Sequence, residues 1–435
     1  MPWNYKNLIL TSLLAVSFSA CSIKQNSNLN IQNTKKEFVK VETKKFDAED
    51  FYIMYALEME SQGAYNEARD VYFKLFDNTN KYEYFVNFLT LSTQMQDFAL
   101  IEESIEKYNI KNIKEEEIIN RLNSFSKLKL GKVDEALQIA LPLVKSYPSA
   151  INYELLGTIY LTKEDYRNAY NSFSKVYEYE EQENTFQTIL NLQFFQLNEK
   201  EEAIDRLEDY LRQNDYPFVL SVHLLNFYDQ LKSSDRINNF LKELYYEYRS
   251  KNESDYLEKL KPLFWQFMKK SELIDFLERN KERDDFLLAA YRDTNQVGKA
   301  KALVKELYEK TGKIDYLAQE AMILFETSKN QEDVLDSVIE KFETVLQSST
   351  NHIYQNYYAY LLIDFDLDIK KGLELVNKAL EQDPYNIAYL DTLAWGEYKV
   401  KNCQTAFDIM KQIVDEIGLE DDEIKLHWEK IKECK

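Results

Sequence analysis

Between residues 150 and 183, large and small side chains recur as Tyr153, Leu156, Gly157, Tyr160, Ala169, Phe173 and Val176. This is the spacing of two helices folded back on one another, with 153, 156, 157 and 160 on one face of the first and 169, 173 and 176 on one face of the second. Ala169 is small where the helices cross closest, and Gly157 removes a side chain where the backbones approach. A lone hairpin leaves an apolar face uncovered, so the spacing demands neighbours on both sides. They are present: Ala136, Ala169, Ala203 and Ile237 follow at 33, 34 and 34 residues, and Ala68 lies 68 before Ala136 with a degenerate unit around Ala99 between. Tyr52, Tyr55, Ala56, Tyr72 and Leu75 repeat the pattern from Glu49 onward, and Leu287, Leu288, Tyr291, Ala300, Val304 and Leu307 restore it later, before units on Gly372 and Ala406.

The period and its residue types resemble the tetratricopeptide (TPR) repeat. The expected fold is all-α, a TPR-type α-solenoid: a superhelix of about eleven helical hairpins plus a C-terminal capping helix. Composition agrees, with eight Gly and six Pro in a chain rich in Leu, Glu, Lys and Tyr. In such arrays the 32 Tyr and 25 Phe fill the gaps between hairpins. The net charge of -21 disfavours nucleic acid, whose phosphates need clustered Lys and Arg.

The expected organisation is a signal peptide over 1–20, a lipidated cysteine and flexible tether over 21–46, an N-terminal array over 47–251, an irregular joint over 252–280, a C-terminal array over 281–420 and a cap over 421–435. The first segment has Lys6, an apolar run from Leu8 to Phe18, and small Ser19 and Ala20, the layout of an export signal. Phe18-Ser19-Ala20-Cys21 resembles the lipobox of bacterial lipoproteins, with Phe18 in place of the usual Leu. The resemblance implies acylation of Cys21; the alternative is ordinary cleavage, leaving a free thiol. Ser22 rather than Asp after the cysteine implies delivery to the outer membrane, lipid-anchored on its periplasmic side. Residues 22–46 are too polar to order themselves. Pro142 is expected to kink its helix and Pro262 to interrupt one at the joint.

Across residues 356–417 a second resemblance emerges: Asn356-Tyr357-Tyr358-Ala359-Tyr360, Gly372-Leu373-Glu374-Leu375, Lys378-Ala379-Leu380, Asp383-Pro384 and the run from Ala388 to Trp395. It is similar to the C-terminal end of TPR outer-membrane lipoproteins that serve as adaptors for periplasmic carboxyl-terminal processing proteases, which usually carry Gly where this chain has Ala394. The resemblance implies a protein-binding scaffold whose partners are a processing protease and its substrate, with membrane attachment through lipid. An assembly factor for an outer-membrane, pilus or secretin complex is the alternative, and a cell-wall hydrolase a more distant one.

No catalytic residue, cofactor, metal site or small-molecule substrate is expected. His223, His352 and His427 lie on separate repeats. Asp364, Asp366 and Asp368 alternate like a calcium loop, yet Ile369 stands where Gly is needed and Leu375 where Glu is needed. Glu60-Ser61 superficially fits a lytic transglycosylase but falls at a helix end, and Glu115–Glu117 read as a helix start. Superhelix geometry turns Phe125, Leu128, Leu161, Leu192, Phe195 and Val222 toward a concave groove, the expected partner site, although the same residues could pack on the next hairpin. That face lacks the Lys and Asn pairing of TPRs that clamp peptide carboxylates, so recognition should rest on apolar contacts. Export places Cys403, in the last hairpin's turn, and Cys434, at the end of the cap, in an oxidising compartment, and the stacked turns predict a disulfide between them, with two separate thiols the alternative.

Overall fold

A computed structural model describes residues 38–108, 110, 111 and 114–434, and these are helical with no strand among them. Cys21 and the signal and most of the tether lie outside the described residues. The chain divides into two compact units, with the boundary between Ser233 and Ser234.

The first unit holds α1 (Glu49–Ser61), α2 (Tyr65–Thr79), α3 (Tyr82–Gln94), α4 (Phe98–Glu106), α5 (Glu116–Lys129), α6 (Val133–Ser146), α7 (Ala150–Thr162), α8 (Tyr166–Tyr179), α9 (Glu183–Asn191, continued by a π-turn over Leu192–Gln196), α10 (Lys200–Gln213) and α11 (Phe218–Gln230). The second holds α12 (Ser234–Ser250), α13 (Ser254–Phe267), α14 (Lys270–Arg279), α15 (Asp285–Asp293), α16 (Val297–Thr311), α17 (Ile314–Thr327), α18 (Glu332–Ser348), α19 (His352–Asp364), α20 (Ile369–Gln382), α21 (Ile387–Lys399), α22 (Cys403–Ile417) and α23 (Asp422–Ile431). Among the described residues, the helices taken two by two in chain order number eleven pairs, with α23 after them. The unit boundary falls between α11 and α12, earlier than the joint at 252–280.

The small residues sit where the spacing put them: Ala68, Ala136, Ala169, Ala203 and Ala406 are fully buried. A Cβ on Gly157 would meet the Phe173 ring at 2.9 Å, and one on Gly372 would meet Ile363 at 2.5 Å and the Ala359 carbonyl at 3.0 Å. In the degenerate unit Ala99 is exposed, and the fully buried Ile101 occupies the equivalent fourth position of its helix, 33 residues after Ala68, which corrects the expectation for Ala99. Pro262 does not interrupt α13, which continues through it to Phe267; Pro142 likewise lies inside α6. Each proline removes one amide donor, a loss that a helix packed on neighbours can carry.

Most turns inside the hairpins share one closure that residue types alone conceal. Gly63, Gln96, Gly131, Glu164, Asn295, Asp366 and Lys401 all have positive φ between 52° and 77°. The next amide reaches back five residues, as in Ala64 to Met59, Asp165 to Tyr160, Gln296 to Tyr291 and Asn402 to Glu397. These are Schellman closures, satisfying carbonyls that each first helix would otherwise leave open. Glycine occupies only some of them, so most turns accept a left-handed non-glycine residue at a cost of roughly 1 kcal/mol.

Tyrosine joins successive hairpins. Tyr84 bonds to Glu49, Tyr316 to Asp285 and Tyr354 to Asp315, in each case a phenolic hydroxyl donating to an acid in the first turn of an earlier helix; Tyr147 makes the same bond to Glu116 within one hairpin. Burial, and then the carboxylate, pushes Tyr354 up to about 12. The ring fills the gap between hairpins while the hydroxyl finds a buried partner.

Candidate functional site

In the first unit, the first helices of successive pairs present equivalent stripes. On α5, residues 118, 121, 125 and 128 lie along one face; the matching positions are 151, 154, 158 and 161 on α7, 185, 188, 192 and 195 on α9 and its π-turn, and 219, 222, 226 and 229 on α11. All six residues expected to line a groove belong to these stripes, but they do not share one environment. Leu192 is 2% exposed and belongs to the core with Phe173 and Ile189, which corrects the expectation for it. Phe125 and Leu128 are half-buried against the cluster of α6 and α7, and Leu161 against that of α8 and α9. Val222 is half-buried, and Phe195 is 37% exposed. Packing on the next hairpin therefore takes up much of what a groove would need from Phe125, Leu128 and Leu161.

The π-turn explains the split between Leu192 and Phe195. One extra residue in a turn rotates the downstream side chains by about 100°. Phe194 consequently goes inward, stacked on Phe227 with ring centroids 4.1 Å apart, while Phe195 lies over the edge of that pair at 4.8 Å from Phe194.

Three residues of the same stripes are as exposed as Phe195 or more so: Ile118 at 37%, Ile151 at 41% and Val219 at 61%. The 34-residue ruler, moved to the first turn of each first helix, would have found them. Two charges share these stripes. Arg121 bonds to Glu117 and Asn152. The Glu154 carboxyl is raised above its ordinary range by burial and by nearby Glu180. The face thus carries apolar residues in its first turns, with Arg121 and Glu154, of opposite sign, one turn further on.

At the C-terminus of the second unit, Cys403 and Cys434 form a disulfide, with Cα atoms 5.5 Å apart. The three alternating aspartates each have a structural partner: Asp364 accepts from the Trp395 indole, Asp366 pairs with Lys399, and Asp368 caps α20 through the Lys371 amide. Glu60 accepts the Tyr72 hydroxyl. His223 and His352 stand apart, but His427 meets Asp391 at 3.0 Å, with Glu423 beside them. Counting histidine against histidine missed that cluster; Glu423 and His427 at i and i+4 were its sequence signal.

Successive hairpins, their alternating helices and their shared closure make this an all-α, TPR-type helical-repeat protein. A family model described as the CadC C-terminal domain matches residues 76–211. Among solved structures, Naa15/Naa10 bound to HypK-THB is 14% identical over 88% of this chain and 66% of that one, with a TM-score of 0.36. The APC/C hetero-tetramer Cut9-Hcn1 is 10% identical over 89% of this chain and 96% of that one, with a TM-score of 0.29. None of the curated proteins compared with the chain matches it.

Proposed function

We propose that this protein is a scaffold that holds protein partners through the first-helix face of its hairpins, tethered by acyl chains on Cys21 to the periplasmic side of the outer membrane. One observation carries the binding part: Ile118, Ile151 and Val219 repeat an exposed apolar residue at equivalent places on α5, α7 and α11. Isolated exposed apolar side chains are ordinary, whereas three at equivalent first turns, with Thr185 between them on α9, offer one partner several anchors. Anchoring rests on the lipobox-like run and Ser22, and the Cys403–Cys434 bond favours an oxidising compartment.

Within this class the adaptor reading rests on the similarity across 356–417. An adaptor raises the effective concentration of a substrate near its protease and needs no chemistry of its own. The test is to add the purified chain to a periplasmic processing protease and its envelope substrate. Accelerated cleavage, lost in Ile151→Asp with the fold intact by circular dichroism, is the expected result. No acceleration, together with envelope cross-links to an assembly machine and none to a protease, would replace the adaptor with the assembly factor.

A further inference from the structure

The C-terminal cap brings three donors of different chemistry to one point. Glu423 and His427 share a face of α23, Asp391 faces them from α21, and one ligand atom from each lies within 4.8 Å of the others. His427 is 2% exposed and Asp391 7%. The His427 Nδ1 stands 3.0 Å from both Asp391 oxygens. Without a metal, Nδ1 and the carboxylate form a hydrogen-bonded ion pair. Two ligands on one tetrahedral ion stand about 3.4 Å apart given bonds of about 2.0–2.2 Å, so a small opening of this pair admits an ion.

The surroundings hold these groups in place. The Trp395 ring stacks on the imidazole with centroids 4.2 Å apart, and Glu423 meets the Tyr360 hydroxyl. The nearby Lys399 amine is already bonded to Asp366 and to the Asp364 carbonyl. Two carboxylates beside one imidazole leave an excess of negative charge for a cation to neutralise. The imidazole favours a transition ion over magnesium or calcium, which prefer oxygen alone.

We propose that Asp391, Glu423 and His427 bind one divalent transition-metal ion of the zinc type, pinning the capping helix to the last hairpin. Three protein ligands leave a fourth position, on the side of exposed Glu423, for water or a partner's donor. The disulfide ties the far end of the same cap, so metal and sulfur would close the array together.

The test uses the full chain with its disulfide intact, stripped by chelator and titrated with zinc or magnesium chloride, followed by metal analysis after dialysis and by thermal melts. One zinc per chain and a raised Tm are expected, with magnesium inert. Glu423→Gln keeps the Asp391–His427 pair yet should weaken zinc binding at least about tenfold, and His427→Gln should abolish it. Zinc lost on dialysis from the parent overturns the proposal, leaving the trio as an ion pair. Zinc retained equally by the parent and both variants overturns it too, by placing the ion elsewhere.

Discussion

Glycine at position 157 shows how one residue sets the hairpin crossing. With Phe173 2.9 Å from a hypothetical Cβ and itself buried, Gly157→Ala has to push a ring that has nowhere to go. Gly157→Ala should therefore lose about 1–3 kcal/mol in urea melts, and Gly372→Ala more, because a backbone carbonyl is among the atoms it meets. Gly298 on α16 meets nothing within 4 Å, so Gly298→Ala should instead gain up to about 1 kcal/mol from helix propensity. His223 carries a different prediction. Burial lowers it to about 4, and its Nε2 has no partner. Above pH 6.5 the imidazole is neutral in folded and unfolded chains and adds no pH dependence. Below that, only the unfolded chain takes the proton, so stability falls between about pH 6.5 and 4, by roughly 3 kcal/mol from this group. In pH-resolved melts His223→Leu should lose that portion of the slope; an unchanged slope would place its origin in other groups.

For the elements, the turn closures and the π-turn are decisive. Glu164 holds positive φ where glycine would pay no Cβ penalty, so Glu164→Gly should raise stability by up to about 1 kcal/mol, while Gly131→Ala should lower it by a similar amount. Equal signs for the two would contradict a shared closure. Across the π-turn, Leu192→Ala should cost about 2–5 kcal/mol as a core deletion, whereas Phe195→Ala should cost less and weaken partner capture more. A large stability loss for Phe195→Ala with capture intact would make Phe195 a packing residue. At the cap, Cys434→Ser opens a bond spanning 31 residues and should remove about 2–4 kcal/mol from the terminal hairpin. Non-reducing peptide mapping of protein isolated from cells checks the bond itself.

For the whole molecule, charge and address matter most. A body near -26 after residue 46 favours partners with basic patches, so raising salt should slow association more than it speeds dissociation. A salt-independent association rate in stopped-flow mixing would remove electrostatic steering from the mechanism. Cys21→Ser should leave precursor uncleaved by the lipoprotein peptidase and change its fractionation, since stable anchoring needs more than one chain. Unchanged mass and location would end the anchoring proposal.

The helical class, the period and most close-packing positions were legible in the residues, because a side chain's size at a helix crossing is a local requirement repeated every 34 positions; Ala99 misled because a large Ile101 holds the small residue's place. The disulfide partners were legible for a similar reason: equivalent turns of a repeat stack on one edge. What the residues could not express was register. Leu192 and Phe195 fit the same stripe until a π-turn rotates one into the core. Nor could spacing alone tell Ile151, exposed, from Leu161, half-buried, since that depends on how closely the next hairpin covers each turn. The left-handed turns of Gln96, Glu164 and Lys401 were equally hidden, because the packing of two helices imposes a conformation their own side chains disfavour. Asp391 and His427 are 36 residues apart in sequence, and only the docking of α23 on α21 makes them neighbours.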